Sequence, residues 1–230
     1  DLPDFNQLAW GNYETMISQF HIFKLFVNTL FISVVTIFFL LALGIVASYA
    51  FAKLKFIGKN VIYFLIIASM FVPVQVTIIP LFIILRNLGW IDSHKALIIP
   101  LLSSAFGIFL IRQYFMSIPV ELEDAALIDG SSRLGTLFQV VLPVAAPGIV
   151  STALFTFLLA WDEFFFALLF TSTIQAKTVP VAIAEFTGRY AVDITAMMAG
   201  GVLAAIPPVI LSLIFQRYIV SGLTAGAVKG

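Results

Sequence analysis

From Leu25 to Ala52 no residue carries a charge, and a lysine closes the run at each end, Lys24 and Lys53. A helix needs about 20 apolar residues to cross roughly 30 Å of hydrocarbon. Inside a bilayer every backbone N–H and C=O must be bonded within the segment, which a helix achieves by itself. The run therefore reads as a membrane-spanning helix. Further apolar runs follow at Val61–Leu85, Ala96–Ile111, Val144–Thr173 and Ile194–Gln216. The third is short, but Arg112 can snorkel its guanidinium to the interface and let the helix reach Met116. Soluble domains carry about 25% charged residues, whereas this chain has 10%, with 61% hydrophobic. The fold class predicted is all-α: a polytopic transmembrane helix bundle, five spans in one bundle over residues 25–217.

Several function classes are excluded by what these residues cannot do. The net charge is formally zero, so bulk electrostatics give no affinity for nucleic acid. There is no cysteine, which removes disulfide frameworks and thiolate metal sites. His21 and His94 stand in separate extramembrane segments without carboxylates at ligand spacing, so no metal site is expected. Gly58-Lys59 lacks the upstream glycine and the hydroxyl of a phosphate-binding loop, so no nucleotide cofactor is expected on this chain. No internal repeat of the kind that marks many secondary carriers is visible. The Phe-rich faces read as lipid or bundle packing. Pro73 and Pro80 interrupt the second span, either as simple curvature or as part of a pathway lining.

Between the third and fourth spans lies the longest polar-bearing stretch, residues 117–143. Pro119 suits the first turn of a helix, and Glu121, Glu123 and Asp124 suit its positive end. Ala125 and Ala126 leave a face with little side chain, open to close approach by another backbone. Gly130, after Asp129, is placed to end the helix as a C′ glycine. Ser131 or Ser132 can cap a second short helix running toward Leu142-Pro143. The stretch predicts a helix–turn–helix hairpin projecting from the membrane, shaped as a plug for another protein.

The spacing of Asp124-Ala125-Ala126, Gly130, Val140 and Leu142-Pro143 resembles the EAA loop of ABC-importer permeases, with Asp124 standing where the family has glutamate. The chain is identified on these residues as similar to the carbohydrate-uptake (maltose-type, type I importer) permeases. The resemblance implies docking on an ATP-binding subunit through Glu121, Glu123, Asp124, Ala125, Ala126, Asp129, Gly130, Leu142 and Pro143. Asp124 would be the contact residue, Ala125 and Ala126 the close-packing face, and Gly130 the bend. It implies as partners a second homologous permease in a heterodimer, two ATP-binding subunits that carry ATP and Mg, and an extracytoplasmic sugar-binding protein. Localisation would be the bacterial or archaeal cell membrane, with the hairpin and C-terminus cytoplasmic. On that orientation the inside holds Lys53, Lys55, Lys59, Arg112, Arg133, Arg217 and Lys229, and the outside Lys24, Arg86, Lys95, Lys177 and Arg189, a small excess in the expected direction. The opening segment, residues 1–24, would be extracytoplasmic, and the family usually carries one more helix before it, giving six spans in the native protein.

Asp162 and Glu163 are the only acids within a span, flanked by Trp161 and Phe164. An intramembrane acid is a functional candidate by default. Aromatic rings beside a carboxylate suit a hydroxyl-rich ligand in a pathway; an interhelical hydrogen bond that fixes the bundle suits the same residues. The stretch Trp161–Phe164 also resembles one found in carbohydrate-type permeases. The alternative function is a proton-coupled secondary carrier using Asp162 or Glu163. Residues 218–230 resemble the ending of the maltose-type subunit, with Gly222, Gly226 and Lys229 implied at the ATPase interface on an irregular, glycine-permitted backbone; a disordered end is the other reading.

Overall fold

The computed structural model describes residues 10–18, 21–102, 104–185 and 194–227. In chain order the helices are α1 Gly11–Ser18, α2 Ile22–Lys53, α3 Lys59–Ser69, α4 Val74–Asn87, α5 Lys95–Leu102, α6 Ala105–Ser117, α7 Val120–Ile128, α8 Arg133–Thr136, α9 Leu142–Val144, α10 Ala146–Trp161, α11 Phe165–Phe170, α12 Val179–Glu185 and α13 Ile194–Ala227. A π-helical turn, Leu137–Val141, joins α8 to α9. No strand occurs among the described residues.

The expected first and last spans are single helices, α2 and the Met197–Tyr218 part of α13. Five spans result if three bent pairs each count as one: α3 with α4, α5 with α6, and Arg133–Val144 with α10. The second expected span is not a kinked rod but a corner of 94° between α3 and α4. Proline disfavours helical backbone in the residue before it, and Pro73 begins α4 in extended conformation, φ −60° and ψ 127°. The fourth expected span, Val144–Thr173, is likewise broken: α10 stops at Trp161 and α11 starts at Phe165. The tail differs too, because α13 continues as helix to Ala227 where irregular backbone was expected. Helix propensity of the Leu-Thr-Ala and Ala residues there outweighs a glycine cost of about 1 kcal/mol each. Lys229 lies outside the described residues, as do residues 1–9 of the opening segment.

The long helix α2 is the centre of the bundle, packed on α5, α6, α10 and α12. Its buried face mixes Ile22, Leu25, Ile32, Leu40, Tyr49 and Phe51 with the small or polar Asn28, Thr29, Ser33, Thr36, Gly44 and Ser48. In lipid, apolar contact gives no net drive for helix association, so close approach of small residues and hydrogen bonds take that role. The Ser48 hydroxyl donates to the Ile108 carbonyl of α6 at 3.0 Å. Thr29 and Ser33 donate back to Leu25 and Thr29 carbonyls, and the Thr29 hydroxyl oxygen also accepts the Val179 N–H of α12 at 3.0 Å. The opposite face carries exposed Val34, Phe38, Phe39 and Leu43.

The chain thus has two ends. At one, Tyr49, Ile111, Phe115, Ile118, Leu137, Val141 and Ala145 form an apolar cluster beneath α7 to α9. At the other, Ile32, Leu85, Leu97, Phe166 and Phe170 pack under the α4–α5 loop. A groove of about 500 Å³ opens between α4 and α5, bordered by Thr77, Pro80, Pro100, Ser104 and Phe166.

Where α6 crosses the start of α10, a Cβ added at Gly148 would come within 2.2 Å of the Tyr114 ring. Over-packing of this kind costs about 1–3 kcal/mol. Gly148→Ala should therefore lower the thermal unfolding midpoint in detergent, and Tyr114→Ala in the same chain should return part of the loss. Gly201→Ala, within α13 and with nothing within 4 Å of the added carbon, should not lower the midpoint, because alanine gains helix propensity there.

Candidate functional site: the projecting hairpin

Helix α7 begins at Val120, with Pro119 as its N-cap at φ −55° and ψ 137°, one position earlier than the first-turn place expected for it. Glu121 and Glu123 fall in the first turn, where four free N–H groups and the helix dipole favour acids. The helix ends in a Schellman arrangement. Ser131 N–H donates to the Ala126 carbonyl at 2.9 Å and Gly130 N–H to the Leu127 carbonyl at 3.1 Å. Gly130 sits at φ 86°, a left-handed conformation that costs other L-residues about 1–2 kcal/mol. Of the two candidate serines it is Ser132 that caps α8, its hydroxyl accepting the Gly135 N–H at 3.1 Å. The second limb then runs through the π turn to Val144 and bends 78° into α10.

Glu121, Leu122, Asp124, Ala125, Ile128, Asp129 and Gly130 are exposed, and Ala126 is half-buried. Leu142 is half-buried and Pro143 exposed at the far limb. Glu123 alone among the hairpin acids turns inward, only 2% exposed. Its carboxylate meets the Lys53 ammonium at 2.7 Å and accepts the Tyr49 hydroxyl at 3.2 Å. The outward surface therefore combines the acids Glu121, Asp124 and Asp129 with Ala125 and the apolar Leu122 and Ile128, with Glu123 committed to its own chain. Lys53 also donates to the Ile118 carbonyl at 2.8 Å.

Two further cations gather at the C-terminus of α2, where carbonyls lack helical partners. Lys59 donates to the Leu54 carbonyl at 2.8 Å. Helix α6 runs past Met116 to Ser117, as expected. The Arg112 Nε donates to the Phe51 carbonyl at 3.1 Å, and its guanidinium lies 4.0 Å from the Tyr63 ring centre.

The Trp161–Phe164 stretch separates into distinct tasks. Trp161 is buried, its indole N–H donating to the Ala204 carbonyl of α13 at 3.1 Å, with its ring against Phe157 and Phe26. Glu163 accepts the N–H groups of Phe166 at 2.7 Å and Ala167 at 2.9 Å, so both of its oxygens cap α11. Phe164 joins the apolar cluster under the α4–α5 loop. Asp162 caps the C-terminal end of α10 by its backbone while its side chain is exposed. No hydrogen bond or ion pair engages that side chain among the described residues.

At the end opposite the hairpin, Asp92 sits at φ 59°, a left-handed position that Asp and Asn tolerate better than most residues. Its Oδ1 accepts the N–H of Ser172 at 2.8 Å and of Thr173 at 2.9 Å, and its own N–H donates to the Phe170 carbonyl at 2.7 Å. Nearby, the Asn28 amide donates to the Ile174 and Lys177 carbonyls, and Lys177 pairs with Glu185 at 2.6 Å. Burial pushes the His94 imidazole below its ordinary value, against a backbone hydrogen bond at Gln175 and with help from Lys24. Sequence reading missed the Asp92 clamp, whose only trace is a polar turn following Gly89. Among the described residues no group of three His, Asp or Glu converges on a point.

Burial would raise the Asp92 carboxyl, but the Thr173 and Ser172 N–H groups outweigh it and hold it below the usual carboxylate value. Because folding lowers this pKa, the stabilisation is complete above the ordinary value of about 4 and is lost as pH falls through the lower folded value. Asp92→Asn keeps one acceptor oxygen and the backbone tolerance without the titration. Its unfolding midpoint should fall less between pH 7 and pH 3 than that of the unaltered protein. An equal fall would mean that the clamp does not depend on the charge.

The sequence matches the family described as binding-protein-dependent transport system inner membrane component over residues 41–225. It is 39% identical over 207 residues to the trehalose/maltose transport system permease protein MalG of Thermococcus litoralis, covering 88% of this chain and 74% of that one. It is 37% identical over 222 residues to the sulfoquinovosyl glycerol transport system permease protein SmoH of Agrobacterium fabrum, covering 96% and 78%. Among solved structures, a bacterial ABC transporter involved in the import of the acidic polysaccharide alginate matches with a TM-score of 0.77 and 24% identity, over 92% of this chain and 80% of that one. At that identity the likeness establishes the fold.

Proposed function

The chain belongs to the family of binding-protein-dependent transport system inner membrane components, and we propose that it is a permease subunit of an ATP-driven sugar importer. The observation that carries this reading is the hairpin, whose acids, small residues and apolar tip stand outside the bundle among the described residues. Glu121, Leu122, Asp124, Ala125, Ile128, Asp129 and Gly130 are exposed on it. They suit a cleft on an ATP-binding subunit, with Asp124 as the contact residue, Ala125 and Ala126 allowing close approach, and Gly130 setting the bend. A second, related permease would complete the pathway, ATP and Mg would be held by the ATP-binding subunits, and a sugar-binding protein would deliver substrate on the far side. The hairpin and the end of α13 would then be cytoplasmic. The sugar class rests on relatives named for trehalose, maltose and a sulfosugar glycoside.

Asp162 is the acid left for the pathway. An exposed carboxylate at a break in a span costs several kcal/mol in lipid and is tolerated where it faces water or a partner. It can accept hydrogen bonds from sugar hydroxyls. A proton-coupled carrier is supported less well, because protonating Glu163 would cost the cap of α11.

Purification from membranes with the neighbouring subunits tests the reading. An ATP-binding subunit should come with the chain, and its hydrolysis should rise with one sugar and its binding protein; uptake without any ATPase would overturn the reading. Gly130 supplies a graded check, since open space surrounds it and only its φ resists substitution. Uptake coupled to ATP hydrolysis should fall in the order Gly130, Gly130→Asn, Gly130→Ala, Gly130→Val, while α7 itself persists. Full coupling in Gly130→Val would count against a fixed bend.

A further inference from the structure

We infer that Lys53, with Tyr49, is the joint through which movement of the hairpin reaches the central helix α2, and that Glu123 is the hairpin's half of that joint. The inference rests on the proposed docking of the hairpin and assigns what happens on the inner side of it.

Covalently the hairpin continues into α6 at one end and into α10 at the other. It has no chain connection to α2, yet α2 is the helix on which α5, α6, α10 and α12 all pack. The Lys53–Glu123 pair bridges that gap at 2.7 Å, with the two side chains 10% and 3% exposed. Lys53 grips two points, the Glu123 carboxylate and the Ile118 carbonyl at the root of the hairpin. Tyr49, one turn earlier on α2, holds the second carboxylate oxygen. Adjacent residues on a helix point about 100° apart, so Asp124 faces out on the same turn from which Glu123 faces in. A push at the outer face is thereby delivered, within one turn, to a buried ion pair. Packed apolar side chains transmit strain collectively; a desolvated, hydrogen-bonded ion pair adds a fixed distance and direction between two named groups.

Structural support and transmission predict different behaviour once the charges are removed together. Breaking one side of a buried pair leaves an unpaired charge and destabilises, whereas replacing both by apolar residues is often neutral or stabilising. The experiment therefore uses Lys53→Met with Glu123→Leu in the complete complex in proteoliposomes, reading sugar imported per ATP hydrolysed. The ATP-binding subunit should stay bound, since the outer face is unaltered, and hydrolysis should continue. Sugar per ATP should fall about tenfold, the middle of the range seen when coupling residues are altered. Reversing the pair, Lys53→Glu with Glu123→Lys, should recover part of the loss. Recovery should be partial because both helix dipoles then oppose the charges. Full sugar per ATP in the apolar pair would overturn the inference, and so would a reversal that recovers nothing while the complex remains assembled. If the unaltered chain retains no ATP-binding subunit, the docking reading itself fails, and this inference falls with it.

Discussion

A buried ion pair joins the hairpin to the central helix at one end of this molecule. Without Lys53, the carboxylate of Glu123 would keep only the Tyr49 hydroxyl as its direct partner beneath a surface helix, and breaking one side of such a buried pair destabilises. With it, α7 is drawn against the end of α2, and the apolar residues Ile118, Leu137 and Val141 close over Tyr49 and Phe115. The pairing and the apolar seat around it share the inner side of α7. With Glu123 turned inward, Glu121, Asp124 and Ala125 are turned away from the bundle. The proposed docking surface is thus the reverse of an internal contact.

The opposite end uses another solution to the same problem. There loops, not a hairpin, must be held over an apolar cluster. Asp92 fastens the α4–α5 turn to Ser172 and Thr173, and Asn28 fastens the following residues to α2 through backbone carbonyls. Both devices bond side chain to main chain, which holds a loop without requiring a matching loop sequence. Between the two ends, α2 carries its polar residues inward. Trp161 stitches α10 to α13, so the bundle is joined by hydrogen bonds where lipid leaves hydrophobic contact little to contribute.

The uncharged run of α2 was legible because length and hydropathy suffice for a span. The hairpin was legible because its signals are local: acids after Pro119, alanines, Gly130 and a capping serine lie within one or two turns of what they act on. The corner at Pro73 was visible as proline but not as 94°, since tertiary packing sets how far a broken helix turns. Lys53 was read only as a charge at a span boundary. Its partner lies on another helix with two spans between, and no local pattern joins them. Glu123 was grouped with the docking acids for the same reason: in a first turn every acid suits the dipole, and only the fold shows which one is turned inward. Glu163 and Asp162 are adjacent in sequence and opposite in fate, one a helix cap and the other exposed, because α10 ends between Trp161 and Phe165.

The central claim is that α7 presents one face to an ATP-binding subunit and the other to α2. The chain has no cysteine, so single cysteines can report on each face in the otherwise unaltered protein. Thiol cross-linking in membranes that hold the whole transporter should join Ala125→Cys to the ATP-binding subunit. A cysteine at the opposite end, Ser172→Cys, should give no such product. Cross-linking from Ser172→Cys and none from Ala125→Cys would contradict the account.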